Sequence, residues 1–223
     1  MDGAAHNLPI HELVYRQIRE MILFGELAPG QAVTIHGLVK ELGAGMTPVR
    51  EALRRLTAEG ALDFQGNRRI SLPVLSLAQL EELSFARLAI EPHLAFLAAS
   101  NMEISDIERL QKVDELLNIA IAQGNVRAYL EHNYRFHEML YAHSEARILI
   151  SISGALWLRI GPSLRVVLGR FGTANLPDKH KEALTALRAG DAQAVAQAIN
   201  EDLRQGHEGI RWSLESAPKM ESD

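Results

Sequence analysis

The residues of this 223-residue chain best suited to chemistry are polar side chains set into apolar helical stripes. Tyr129, Asn133, Phe136, His137 and Leu140 fall on one helical face, which puts an amide oxygen and an imidazole one turn apart. That is metal-ligand spacing. His180 shares a face with Ala183, Leu184 and Leu187, and Asp202 lies on the stripe of Val195, Ile199, Gly206 and Ile210. A buried carboxylate needs a positive partner, because desolvation alone favours its neutral form. Asn133, His137, His180 and Asp202 can together bind a divalent ion such as Zn, Ni or Mn. The plainer alternative for each histidine is a hydrogen-bonded core residue. His207 is a further donor, but five residues from Asp202 it falls off that face. Arg87 and Glu91 form an i,i+4 pair aligned with Leu80, Leu83 and Leu94, so part of the pair should be buried. Its plainest role is an internal salt bridge.

Several kinds of chemistry are excluded. The chain has no cysteine, so thiolate zinc sites, disulfides and cysteine nucleophiles are absent, in keeping with a reducing compartment. It has no Glu-x-x-His pair of the di-iron type, and His137-Glu138 lacks the second histidine of HExxH because position 141 is tyrosine. Gly43-Ala44-Gly45 follows no predicted strand and is no dinucleotide loop. A metal-dependent helical-bundle enzyme is the rival reading these absences weaken. No apolar run approaches the roughly 18 residues of a membrane span. The N-terminus MDGAAHNLPIHE lacks a basic region followed by an apolar core, so no membrane association is expected and the expected location is the cytoplasm.

The charge distribution points to two parts. The formal net charge is −5, yet residues 1–75 carry 8 Lys/Arg and 8 Asp/Glu while residues 76–223 carry 15 and 20. An overall acidic chain argues against nonspecific coating of nucleic acid but not against a local reading head. In the first part, Leu13, Ile18, Ile22 and Leu23 mark one helix. Thr34 caps a second, with Leu38, Val39 and Leu42 inward and Gly43 as its stop. A third starts at Thr47-Pro48, with Val49, Ala52, Leu53 and Leu56 inward and Arg50 and Arg54 outward; Glu51 and Arg55 have i,i+4 spacing. Ala61–Gln65 and Arg68–Leu72 read as strands about the Gly66-Asn67 turn. Three helices and a hairpin make a winged helix-turn-helix, with the helix from Thr47 in the major groove and the wing tip near the backbone or minor groove.

From Ser76 the pattern is helical throughout: Ser76–Ser100, Ser105–Gln123, Val126–His143, Ala146–Ile160, Pro177–Ala189 and Ala192–Leu214. The expected fold is mainly α, a winged helix-turn-helix over 1–75 and an all-helical bundle with one sizeable core over 76–223.

Pro29-Gly30 followed by LVKELGAGMTPVREALRRLTAEGAL and a glycine-tipped hairpin resembles the N-terminal domain of the GntR superfamily of bacterial transcription regulators. That resemblance implies base-edge or phosphate roles for Thr47 and Arg50 and a backbone role for Arg54 or Arg55. Its DNA-reading stretch takes in Met46, and the winged-helix pattern adds the wing residues Gly66, Asn67 and Arg68 at the DNA. The family's usual serine and arginine ahead of the threonine are here Gly45 and Met46, which removes a guanidinium that could grip guanine. The second part, through ARLAIEPHLAFLAA, NYRFHEML and KHKEALTALRAGDAQAVAQAINEDL, is similar to the FCD effector domain of FadR-like members. The resemblance implies a metal site of one Asp and three His, whose positions fall on Asn133, His137, His180 and Asp202, so two of the four depart from the pattern. It also implies that Arg87, with Glu91, serves a small organic-acid effector beside the metal. The expected assembly is a homodimer whose two winged-helix heads read a palindromic operator.

Overall fold

A computed structural model describes residues 8–65, 69–171 and 178–216. Among them are nine helices and a small antiparallel sheet. The head is built from α1 (Ile10–Leu23), β1 (Ala32–Val33), α2 (Ile35–Leu42), α3 (Met46–Ala58), β2 (Asp63–Gln65) and β3 (Arg69–Ser71). The bundle comprises α4 (Leu77–Ala99), α5 (Ile104–Ala122), α6 (Val126–Ala142), α7 (Arg147–Phe171), α8 (Lys179–Ala189) and α9 (Ala192–Glu215).

Local chemistry explains most boundaries. The Thr34 hydroxyl accepts the Gly37 amide at the start of α2, and Gly43 closes that helix in the left-handed conformation (φ 61°). Ser76 and Gln79 form a reciprocal capping box on α4. Asn125, Asp178 and Asp191 each accept a backbone amide at the starts of α6, α8 and α9.

The structure corrects several expectations. α3 begins at Met46 with Gly45 as N-cap and no side-chain cap, so Thr47 and Pro48 sit inside the first turn. Proline is tolerated there because the first-turn amides have no intrahelical acceptor. The hairpin gains a third strand: order is β1-β3-β2, with Val33 opposite Ile70 and Phe64 opposite Ile70 on the other side. Two residues are too short a run for alternation to reveal. Leu13 is on the rim of α1, whose buried face is Val14, Tyr15, Ile18, Met21, Ile22 and Leu23. Arg55 pairs with Glu59 and Glu12, not with Glu51. α7 does not stop at Ile160 but continues through Pro162. Buried Trp157, Leu158 and Ile160 anchor it against neighbouring elements, and packing offsets the proline's missing hydrogen bond. Gly66, Asn67 and Arg68, and the Pro177 helix start, lie outside the described residues.

The bundle does not have a single core of its own. One apolar cluster joins head residues such as Ile18, Ile22, Leu53 and Leu62 to Leu80, Leu130, Tyr134, Trp157, Leu158 and Ile210. A second gathers Leu94, Leu110, Phe136, Leu140, Leu184 and Ile199 between α4, α5, α6, α8 and α9. Asn133, His137 and Trp157 therefore lie where the head-sharing core meets the bundle's own.

Candidate effector site and DNA-reading face

Helices α6, α8 and α9 each bring one donor to a common point. His137 Nε2 lies 3.1 Å from Asp202 Oδ2, His180 Nε2 lies 3.4 Å from His137 Nε2, and His180 Nε2 lies 3.9 Å from Asp202 Oδ1. Among the described residues these three form a group able to hold a metal ion, their donor atoms all within 4.8 Å of one another. Asn133 is buried one turn before His137 on α6. His137 is fully enclosed, whereas the Asp202 side chain keeps 24 % of its surface open, so it forms the wet side of the site and not the buried carboxylate the stripe suggested. His207 lies elsewhere, with Nε2 3.5 Å from Glu81 Oε1 in an open groove between α4 and α9.

The surrounding hydrogen bonds fix the proton positions. The Tyr141 hydroxyl donates to Glu91 Oε2 at 2.9 Å, so toward His137 Nδ1, 3.0 Å away, it can only accept. His137 therefore carries a proton on Nδ1, which leaves Nε2, 3.1 Å from Asp202 Oδ2, to share a second proton with that carboxylate or to offer its lone pair to a cation. His180 Nδ1 faces Asp114 Oδ1 at 3.2 Å, which likewise places a proton on Nδ1 and turns Nε2 toward His137 and Asp202. Phe136 stacks on the His180 ring, with centroids 3.8 Å apart and planes 5° from parallel. Two imidazole Nε2 atoms and a carboxylate thus converge, an arrangement held together by protons shared among them or by a cation.

The ionisation tendencies follow from the same contacts. Burial pushes His137 below the usual imidazole range, and the Asp202 carboxylate offsets this only in part. Burial acts in that direction on His180 too, but the carboxylates of Asp114 and Asp202 outweigh it and raise the group. Burial works against the Asp202 charge, yet His137, His180 and Arg87 hold its carboxyl below the ordinary range. Tyr129, on the same face of α6, is pushed well up by burial and by the Asp202 charge.

Beneath the triad is a closed charged network. Arg87 donates from Nε and Nη2 to the two oxygens of Glu91 at 2.6 and 3.2 Å. Glu91 Oε2 also accepts Trp157 Nε1 at 3.1 Å, and the Arg87 guanidinium lies 4.3 Å from the Trp157 ring centroid. Sequence reasoning placed Arg87 and Glu91 together but missed Asp114, Tyr141 and Trp157. Asp114 was findable: it interrupts the apolar stripe of Ile107, Leu110 and Leu117 on α5, and its other oxygen accepts Asn118 Nδ2 at 3.2 Å. Removing a carboxylate that orients a metal-binding imidazole typically weakens the metal about 10–100-fold. If the triad holds zinc, Asp114→Ala should therefore lower zinc affinity by that order in a competitive-chelator titration, with helical content unchanged.

On the head, α3 turns Val49, Ala52, Leu53 and Leu56 inward and exposes Met46, Thr47, Arg50 and Arg54 along its other face. Arg55 is committed within the head. Its guanidinium bonds Glu12 at 3.0 Å and Glu59 at 3.1 Å, and lies 3.6 Å from the Tyr15 ring centroid. Tyr15 OH in turn reaches Glu59 at 2.9 Å, so this cluster locks α3 to α1.

The sequence profile of bacterial regulatory proteins of the gntR family matches residues 10–71, and that of the FCD domain matches residues 82–205. The chain belongs to the gntR family and carries an FCD domain. It is similar to the HTH-type transcriptional regulator McbR of Escherichia coli K12, 29% identical over 195 residues that cover 86% of this chain and 88% of the relative. It is 26% identical to the HTH-type transcriptional repressor RspR of the same organism, over 91% of this chain and 90% of the relative. The solved structure of E. coli McbR/YncC superposes with a TM-score of 0.86 at 27% identity, covering 92% of this chain and 99% of that one. This gntR-family chain is thus a transcriptional regulator with a helix-turn-helix DNA-binding head and an FCD effector domain. Among the described residues no helix is long and apolar enough to cross a membrane.

Proposed function

We propose that the chain acts as a homodimer on a palindromic operator and that a small organic acid, bound beside a divalent metal in the bundle, adjusts its grip on DNA. The convergence of the His137 and His180 Nε2 atoms and the Asp202 carboxylate carries this reading. Tetrahedral bonds of about 2.0–2.1 Å put neighbouring donors about 3.3–3.4 Å apart. His137 Nε2 lies 3.4 Å from His180 Nε2 and 3.1 Å from Asp202 Oδ2, near that value, while His180 Nε2 is 3.9 Å from the other Asp202 oxygen, so a modest closing of Asp202 toward His180 would complete the donor set. Asn133 is the fourth candidate, an oxygen donor supplied from the helix that carries His137. Two imidazoles with oxygen donors suit Zn, Ni or Mn. A bound ion would offer an open position to an acidic ligand as a Lewis acid. Arg87 is neutralised by Glu91 and buried, so its part is to set the field and the walls beside the ligand, while Asp202 occupies the solvent side. The family membership and the named relatives favour this regulator over a metal-dependent enzyme.

DNA reading is assigned to α3, with Arg50 and Thr47 toward base edges or phosphate, Arg54 toward the backbone, and Met46 replacing a longer polar residue. Arg55 supports α3 from behind. Dimerisation belongs to the bundle, where Phe85 and Phe96 are exposed on α4 and offer apolar surface for a symmetric contact. Arg50→Ala should weaken binding to a selected operator by about 1–3 kcal/mol, roughly 5–150-fold, at one fixed salt concentration. An unchanged Kd would remove Arg50 from the interface. The effector reading is tested by following the melting temperature of untagged, zinc-loaded protein against a panel of small organic acids. A ligand at about 100 times its Kd stabilises by roughly 2.7 kcal/mol. A panel that leaves the melting temperature unmoved would count against it.

A further inference from the structure

The helix that carries Trp157 also grips the head. Arg159, two residues beyond Trp157, donates from Nε and Nη2 to the Glu59 carbonyl at 3.4 and 3.3 Å, the last carbonyl of the α3 turn. Arg165 donates from Nη1 to the Gly25 carbonyl just past the end of α1. Between them, Gly161 lies so close to α1 that a Cβ there would sit 3.1 Å from the Leu23 carbonyl oxygen. The glycines that end α1 and α3 match this arrangement. Gly25 and Gly60 have φ of +71° and +72°, and a side chain on either would collide with Arg165 or Arg159 respectively. Helix C-termini expose unpaired carbonyls at the negative end of the helix dipole, which is where a guanidinium is favoured. One stretch of α7 therefore holds the trailing ends of α1 and of α3, the DNA-reading helix. The start of the same stretch is bonded to Glu91 and lies with its ring centroid 5.1 Å from that of His137.

We propose that residues 157–165 of α7 form a clasp that transmits the state of the effector site to the head: Trp157 senses the site, and Arg159, Gly161 and Arg165 set where α1 and α3 stand. The proposal deepens the effector reading and rests on it for the identity of the sensed site. A ligand or metal that shifts Trp157 shifts the stretch of α7 that follows it, and the helix ends held by Arg159 and Arg165 move with it, alongside the further ties of Arg127 to Glu26 and Arg19 to Tyr134.

The absence of cysteine makes a clean test available. Spin labels on Lys40→Cys in α2 and Lys112→Cys in α5, both exposed positions, report the head-to-bundle distance in the full chain. Labelled chains are diluted into excess unlabelled protein so that only distances within one chain are read. The parent should give a single narrow distribution. Arg159→Gln with Arg165→Gln should replace it by a broad one at unchanged helical content, and Trp157→Phe, which deletes the bond to Glu91, should shift its mean. A double variant with the parent's distribution would overturn the clasp, and so would a Trp157→Phe distribution identical to the parent's. Zinc binding, measured calorimetrically on the same samples, separates the two ideas. Retained zinc binding with an unmoved head refutes the clasp alone, whereas a head released by the arginine variants and shifted by Trp157→Phe, in a chain that binds no zinc, refutes the metal reading alone.

Discussion

Glu91→Ala should be the most damaging single substitution in the bundle. The Glu91 carboxylate is fully buried and accepts hydrogen bonds from Arg87, Tyr141 and Trp157, so its removal strands a buried guanidinium and two further donors. Breaking a buried pair from one side costs about 3–5 kcal/mol, because the remaining charge loses its compensation. Urea unfolding should show the midpoint falling with an unchanged slope. Glu91→Gln keeps an acceptor but not the charge, and should lie between the parent and Glu91→Ala. A loss below about 1 kcal/mol for Glu91→Ala would mean that Arg87 finds water or another anion, and the network would not be the closed one described. Arg87 itself illustrates the balance. Burial opposes its charge, but Glu91 outweighs that and holds the guanidinium above its ordinary value.

The second large effect concerns the triad. His137→Ala with His180→Ala removes two of the three converging donors, and untagged protein of this variant should retain only trace metal where the parent retains about one ion per chain. Because a folded site binds metal and the unfolded chain does not hold one, the parent should melt at a lower temperature after chelation. The double variant should be insensitive to the chelator. Equal metal content in both proteins, or a parent whose melting ignores chelation, would show that His137, His180 and Asp202 form a hydrogen-bonded core and nothing more. Asp202→Asn offers a finer comparison, since it preserves shape while removing the carboxylate on the wet side of the site.

Much of this was legible in the sequence where the signal is local. Thr34 and Gly43 delimit α2 because a hydroxyl cap and a left-handed glycine act within one helical turn. The inward face of α3 follows from a period of 3.6 residues, and so does the outward placement of Arg50 and Arg54. The triad was visible because His137, His180 and Asp202 each interrupt an apolar stripe on its own helix. What the sequence hid depends on contacts between distant elements. Arg55 has good i,i+4 spacing with Glu51, but Glu59, Glu12 and the Tyr15 ring compete successfully for it, and only the packing of α1 on α3 decides that. Gly161-Pro162 reads as a helix end. α7 continues past it because its flanking residues are buried against the head and the bundle, and because the glycine lets α1 approach closely. The division at residue 75 marks where α4 is about to begin, yet the apolar core passes across it.

That shared core bears on regulation. Tyr134 stands edge-on to Trp157 on one side and to Phe24 on the other, with centroids 5.5 and 6.2 Å apart, and its hydroxyl accepts from Arg19 of α1 at 2.7 Å. The head is thus attached to the walls of the candidate effector site by aromatic packing as well as by the arginines of α7, and no flexible linker need carry a signal alone. Coupling of this kind is reciprocal: whatever the effector does to operator affinity, the operator does to effector affinity.

Operator affinity measures most directly whether the bundle's ligand state governs the head. An operator is first selected from random DNA. The zinc-loaded full chain is then titrated onto it with and without the organic acid that most raises its melting temperature, at one salt concentration. The two Kd values should differ by roughly 5–150-fold, as expected for coupling of about 1–3 kcal/mol. Identical Kd values, with the acid shown to be bound in both free and operator-bound protein, would contradict it.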